Sequence, residues 1–457
     1  MRNIPAFAKF IINRLNDCGY EAYLVGGCVR DSILGKEPKD WDITTSAKPD
    51  EVIDIFDSSI AVEAVVPTGI EFGTVTIVGI NNHGSYEITT FRGDIYSPET
   101  GISHIPKCVE YIEDIEQDLS RRDFTINAIA YDIVSEEYID PFNGRADIEN
   151  KIIKFVGDPE QRIKEDPLRI LRGIRFASVL GFGIEVKSKM PMIIHSSLLE
   201  KISSERIREE LNKILLSDIG NIFYRNNSCV TEAVFATILP ELMKLQDVEQ
   251  NNPYHCHDVF YHSIEATRII EPKLHLRLAA LFHDLGKACT KTTDENGIDH
   301  FYGHAKYSVD IAKNVMKRLK YDNKTIDKVL SLIKHHDRRV ELSEKAIKKA
   351  MRDIGEDLFF DWCKLRYADV ASQEPTYLKA RAKKVFDIED KAHLILASQD
   401  PFTLNDLAVN GNHLIALGFK PGPHIGQVLN TLLEHVIENP MLNEKENLLN
   451  MASSYLI

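Results

Sequence analysis

The sequence predicts a mixed α/β unit over roughly its first 140 residues and an almost wholly helical remainder. Three observations carry this. An apolar run at 21–25 feeds a glycine pair, Gly26-Gly27, and then a helix-like stretch at 28–35. β-Branched residues crowd 72–80, where Thr74, Val75, Thr76 and Ile77 favour extended backbone. Beyond about residue 160 the apolar spacing turns helical, as at Ile170, Leu171 and Ile174, and strand signals become few.

In chain order, 5–18 reads as an amphipathic helix packed on the first unit, 21–25 as a strand and 28–35 as a helix. Strands are expected at 39–44, 61–66, 72–80 and 85–91, with Gly69, Gly73, Asn81-Asn82 and Gly84 as turn residues between them. Soft boundaries fall near Asp140–Gly144, at Gln250–Pro253 and after Ala371. They divide the chain into 1–140, 141–250, 251–372 and a helical tail, 373–457.

Composition excludes several classes. Apolar content of 44% and charged content of 27% fit a soluble globular protein. No run of about 18 apolar residues predicts a membrane span, and the N-terminus lacks a signal-peptide pattern. Seven scattered cysteines without a Cys-x-x-Cys pair argue against a disulfide framework or zinc ribbon and fit a cytoplasmic, reducing compartment. A net charge of −14 argues against nucleic-acid binding by the whole surface. Locally, however, 162–213 carries eleven Lys/Arg against seven acids, a strip able to hold a phosphate backbone.

The chemistry-bearing segments follow. No Cβ keeps a polyphosphate away from the backbone at Gly26 and Gly27, and Arg30 falls one helical turn on. Asp31 reads as a structural acid that pairs with Arg30 or caps. In a strand over 39–43, Asp40 and Asp42 would share a face opposite Trp41 and Ile43. Two such carboxylates can hold a pair of Mg²⁺ ions for transfer of a nucleotidyl group. Glu87 is the candidate third acid, or else a surface strand glutamate. At 118–127, Arg122 is placed to bind phosphate or ribose with Asp123 orienting it. Asn127 is within reach of a ribose hydroxyl, and Asp123 could equally cap a helix. Asp166, Arg169, Arg172 and Arg175 recur every three residues after a helix start at Pro167. They form either a surface ion-pair ladder or a stripe for a base edge or phosphate, and their excess of positive charge favours the second.

Taken together, residues 20–215 resemble the class II tRNA nucleotidyltransferases (CCA-adding enzymes) and the related bacterial poly(A) polymerases. The resemblance rests on five ordered segments after the glycine turn: Asp40-x-Asp42, Pro67-Thr68-Gly69 with Gly73-Thr74-Val75, Thr90-Phe91-Arg92, Arg121-Arg122-Asp123, and Glu165-Asp166-x-x-Arg169. It implies an α/β nucleotidyltransferase head, followed by a helical neck and body that would grip tRNA. It further implies template-independent building of C-C-A on a tRNA 3′ end from CTP and ATP. Asp166 and Arg169 would pair with the incoming base, with Gly27, Arg30, Arg122, Arg172 and Arg175 around the nucleotide. The chain departs from the family at 96–107, where a loop of normal length keeps Pro106 and lacks the expected arginine. A-only addition or poly(A) synthesis is therefore the alternative activity, though Val25–Asp31 favours the tRNA branch.

A second constellation lies at about 255–372. His262, the adjacent His283-Asp284 on an apolar helix, and Asp369 make a His/Asp metal set, which His304, His335 and His336 could extend to two ions. His257 is expected to be only positional. The segment looks like an HD-type metal-dependent phosphohydrolase domain holding a second divalent metal, or else a structural HD fold with vestigial histidines. The competing functional class is thus a hydrolase whose head only binds RNA.

Overall fold

The computed structural model describes residues 1–456 except 2, 68, 82, 96–107, 225–226 and 252–255. The 96–107 loop with Pro106, Thr68 of the Pro-Thr-Gly segment, and the Asn252-Pro253 boundary lie outside the described residues. The chain divides into two compact units, Met1–Pro240 and Glu241–Ile457.

The first unit is built on a seven-stranded sheet. Its strands are β1 (Ala22–Val25), β2 (Ile43–Thr45), β3 (Val62–Val66), β4 (Thr74–Gly79), β5 (Ser85–Thr90), β8 (Ala130–Tyr131) and β9 (Tyr138–Ile139). A separate hairpin pairs β6 (Arg92–Ile95) with β7 (Cys108–Tyr111). The sheet order is β3-β4-β5-β2-β1-β8-β9. Only β2 and β5 run parallel, so the sheet is mixed, as expected. Along β4, Val75 and Ile77 alternate into the core while Thr74 and Thr76 point the other way. Helix Ala6–Asp17 buries Phe7, Ile11 and Leu15, spaced so that one apolar stripe faces inward.

One expected strand is corrected. The stretch 39–44 is extended sheet only from Ile43. Pro38 has no N–H to give a ladder, and pairing with β1 begins where Val25 N–H donates to the Asp42 carbonyl (3.0 Å). Asp42 therefore sits at the sheet rim and Asp40 lies in a bend before it.

From about residue 159 this unit is helical apart from the two-residue strand Gly183–Ile184, which pairs with Ile152–Ile153. Helix Leu168–Leu180 buries Ile170, Leu171 and Ile174 and packs against helix Ser204–Leu215. It stops at Gly181, whose φ of 72° is left-handed and easily adopted only without a side chain.

The second unit is helical apart from a two-stranded pair, Thr292–Thr293 with Asp299–His300. Phe260, Phe282, Phe359 and Trp362 are fully or almost fully buried in it. Among the described residues, no helix is long and apolar enough to cross a membrane.

Candidate functional site

β1 ends on Val25 and the chain turns at Gly26 (φ 76°) into helix Gly27–Ile33. A Cβ at Gly26 would stand 3.3 Å from Arg122 Nη1 and 3.9 Å from Asp42 Oδ2, so glycine keeps open the gap between that cation and that carboxylate. The gap opens into a cavity of about 540 Å³, large enough for a nucleotide. Its lining includes eight arginines (30, 92, 121, 122, 169, 172, 175 and 206) against four aspartates (42, 94, 123 and 166). Such a wall selects for an anion.

Each arginine that reaches the cavity is held from behind. Arg30 donates to Asn127 Oδ1 (2.6 Å) and to Asp31 (2.9 Å), so Asp31 is the expected structural acid. Asn127 in turn donates to Asp123 (3.2 Å), and Asp123 accepts from Arg172 Nε (2.7 Å). Asp123 thus orients Arg172 and Asn127 rather than Arg122. Arg122 is held instead by Asp118, a fully buried carboxylate that also accepts two hydrogen bonds from Arg121. Burial alone would raise Asp118, but the charges of Arg122 and Arg121 hold it below the usual carboxylate range. For Asp123, burial is likewise overcome, chiefly by the charge of Arg172.

Asp166 caps the end of helix Pro159–Glu165 and accepts from Leu168 N (3.1 Å) and Arg206 Nη2 (3.1 Å). Arg169 donates to Glu165 Oε2 (2.7 Å) and to the carbonyls of Arg162 and Arg121 (3.1 Å each). Arg175 lies 2.7 Å from buried Glu210, and burial lowers its pKa. The ring of Phe176 carries three guanidiniums, those of Arg30, Arg172 and Arg175, at 5.2, 5.8 and 4.1 Å from its centroid.

Asp42 and Glu87 each immediately precede a partner in the parallel β2–β5 register, Ile43↔Ile88. Because those isoleucines point into the core, the two carboxylates stand side by side on the opposite face. Burial pushes the Asp42 carboxyl up, the neighbouring Glu87 and Asp40 charges add to this, and Arg122 opposes it. An acidic group short of positive charge suits a divalent cation. Asp40 itself is exposed and is not among the cavity-lining residues.

In the second unit, four histidines point Nε2 at one buried carboxylate. Asp284 Oδ2 lies 3.4 Å from His262 Nε2 and 3.1 Å from His283 Nε2. Its Oδ1 lies 3.4 Å from His304 Nε2 and 3.6 Å from His336 Nε2. Asp369 Oδ1 approaches His262 Nε2 at 3.3 Å. His283, His304 and His336 face the carbonyls of Ala280, Phe301 and Ile333 with Nδ1, which leaves Nε2 as the ligand atom. Both Asp284 oxygens are buried without an aligned hydrogen-bond partner, although Lys287 Nζ places its charge 2.7 Å from Oδ2. The set can be grouped as His262, His283, Asp284 and as Asp284, His304, His336. His335 does not join the cluster; it is the last residue of helix Asn323–His335, and its carbonyl accepts from Trp362 Nε1 (2.7 Å). His257 is exposed and outside the cluster.

The chain is similar over nearly its whole length to curated relatives named CCA-adding enzyme. It is 32% identical to that of Streptococcus thermophilus, with 96% of this chain and 94% of the relative covered. It is 33% identical to that of Lactiplantibacillus plantarum, with coverage of 97% and 95%. This chain belongs to the CCA-adding enzyme family. A CCA-adding enzyme from Bacillus stearothermophilus, solved in complex with CTP, superposes with a TM-score of 0.73 at 26% identity, covering 99% of this chain and 98% of that one. The model for the poly A polymerase head domain matches residues 22–154, and that for a probable RNA- and SrmB-binding site of polymerase A matches 181–244. The model for a putative second domain of tRNA nucleotidyltransferase matches 290–452.

Sequence reasoning passed over Asp118, Asp94, Arg206 and Phe176, all of which shape the CCA-family head cavity or its arginines. Asp118 stands three and four residues before Arg121 and Arg122, and that spacing was the available signal.

Proposed function

We propose that this protein is a CCA-adding tRNA nucleotidyltransferase that uses CTP and ATP to complete or repair the tRNA 3′ end. The observation that carries the reading is a single cavity joining Asp42, the glycine turn and the Asp166/Arg169 pair in a chain that matches CCA-adding enzymes over nearly its whole length. Asp42, with Asp40 and Glu87 adding negative charge beside it, would hold Mg²⁺. Bound there, the ion supplies Lewis-acid stabilisation for attack of the tRNA 3′-hydroxyl on the α-phosphate. The chain's own residues do the rest. Gly26 and Gly27 admit the phosphates against the backbone, and Arg122, aimed by Asp118, neutralises charge on them. Arg30 and Arg172, locked through Asn127 and Asp123, fix the sugar and triphosphate. Arg169 spends three of its five N–H groups on Glu165 and two carbonyls, leaving one on Nε and one on Nη2 for a base edge. Asp166 offers acceptors beside it. A fixed donor–acceptor pair can read C and A without a nucleic-acid template. We place the head at 1–140 and the base-reading neck and body at 141–250, working in the cytoplasm.

The test is extension of three tRNA transcripts, ending before CCA, after C and after CC, with CTP and ATP singly and together. Addition of all three nucleotides is expected. Addition of A to the CC-ended transcript alone would convert the assignment to A-adding enzyme.

A second reading has its own observation: a buried carboxylate whose two oxygens lack aligned partners and face two histidine pairs. Residues 251–372 then form an HD-type domain in which His262, His283, Asp284 and Asp369 hold one divalent ion, and Asp284, His304 and His336 a second. The donor set of imidazoles and carboxylates suits Mn²⁺, Fe²⁺ or Ni²⁺ and phosphoester hydrolysis. Metal analysis of the purified protein and Mn²⁺-dependent release of nitrophenolate from bis(nitrophenyl) phosphate test it. Absence of both bound metal and hydrolysis would reduce the cluster to a structural role.

A further inference from the structure

A cavity of about 530 Å³ in the second unit belongs to neither of these sites. Its lining joins helix Glu356–Ala371, helix Pro375–Ser398 and the segment 338–340. Five cationic side chains line it, Arg338, Arg339, Arg366, Arg381 and Lys384, and no carboxylate does. The surrounding lining is apolar: Trp362, Val370 and Ile388 are nearly fully buried.

Some of this charge is already committed. Arg338 pairs with Asp353 (3.0 Å), and Arg366 with Asp369 (2.9 Å). Arg381 donates to Gln373. Arg339 and Lys384 are exposed. In a chain with a net charge of −14, five cations around one pocket are a local reversal of sign. Cations beside an apolar wall match a ligand with an anionic head and an apolar body. A concave pocket of this volume encloses a small molecule, whereas an RNA backbone is gripped along an extended surface.

We propose that this cavity binds a nucleoside monophosphate, with its phosphate at the Arg339/Lys384 rim and its base against the apolar wall of Val340, Val385 and Ile388, beneath which Trp362 lies buried. Neither the nucleotidyl-transfer reading nor the metal reading is needed for it. Arg366 also donates to the His336 carbonyl (2.7 Å), so the same side chain touches the cavity, Asp369 and the turn that carries His336.

The chain has two tryptophans, Trp41 in the head and Trp362 in the cavity, so Trp41→Phe leaves Trp362 as the only indole reporter. AMP titrated into that full-length variant should change Trp362 emission saturably, with inorganic phosphate competing weakly. Lys384→Ala should lower AMP affinity, and Arg339→Glu with Lys384→Glu should lower it by about tenfold or more, the equivalent of one lost charge-assisted contact. Both variants change exposed side chains and should leave nucleotide addition by the head unchanged. Three results would overturn the proposal: no saturable response to AMP, equal AMP affinity in the double variant, or a response to a ten-nucleotide oligoadenylate with none to AMP.

Discussion

The head cavity and the His/Asp cluster are opposites in charge. The first surrounds open space with eight arginines and four aspartates. The second surrounds a buried aspartate with four imidazoles. Arginine cannot give up its proton, so the head wall is permanently cationic and takes a ligand that arrives negative. Imidazole is neutral when its proton is withheld, and burial pushes both His262 and His304 down from their ordinary value. At His283 burial is outweighed by the Asp284 charge, which holds that ring above its ordinary value, and Lys287 Nζ stands 2.7 Å from Asp284 Oδ2, so the positive charge here is small and adjustable where that of the head is fixed. The comparison teaches that ligand sign is set by which residues back the wall: carboxylates steady the arginines in one site, and in the other backbone carbonyls steady three of the histidines and the Ser372 hydroxyl the fourth, His262.

The strongest way to break the comparison is Asp42→Ala. If the head works as proposed, nucleotide addition should fall by ~10³-fold or more, the scale of losing several kcal/mol of charge stabilisation. Hydrolysis at the His/Asp cluster should be unchanged, and a rapid-quench assay of both activities reads this. Next comes Asp118→Asn, which leaves Arg121 and Arg122 without their fully buried partner. The first unit should lose about 3–5 kcal/mol, read by denaturant unfolding. Asp284→Ala should then lower Mn²⁺ affinity at least ~10–100-fold by calorimetry while tRNA extension continues. Retained affinity would mean that the cluster is not the metal site. The smallest effect is in acid. Asp118 and Asp123 are held below their ordinary value of 3.8, so each stabilises the fold fully above that pH, and the contribution is lost as pH falls through the lowered native values. Arg172→Met removes the main charge that lowers Asp123 and should flatten the acid limb of the first unit's stability profile.

Much of the architecture was legible because local signals agreed with one another. The apolar run into Gly26-Gly27, the alternation at Val75 and Ile77 and the helical spacing at Ile170, Leu171 and Ile174 each needed only neighbours in sequence. The limits were equally physical. A two-residue period placed Asp40 beside Asp42 on a strand face, but periodicity presumes a ladder, and after Pro38 the ladder begins only at Asp42. Arg206 reaches Asp166 from a helix forty residues on, and no local pattern announces that. Adjacent His335 and His336 look alike in sequence; the rotation of one residue at the helix end turns His336 toward Asp284. The assignment of Asp123 to Arg122 followed adjacency, whereas the fold brings Arg172 to Asp123 across 49 residues.

The arginines described above are held by partners within the protein itself. Arg30, Arg122 and Arg172 each rest on a side-chain acceptor. A ligand therefore need not freeze them, which would otherwise cost about 0.5–1.5 kcal/mol for each such side chain. The same acceptors compete with it for the guanidiniums. Affinity is thereby capped as well as prepared, and a product that carries only phosphate, such as pyrophosphate, has nothing on the base-reading side to offset that competition. If the head works as proposed, pyrophosphate should leave rapidly between successive additions.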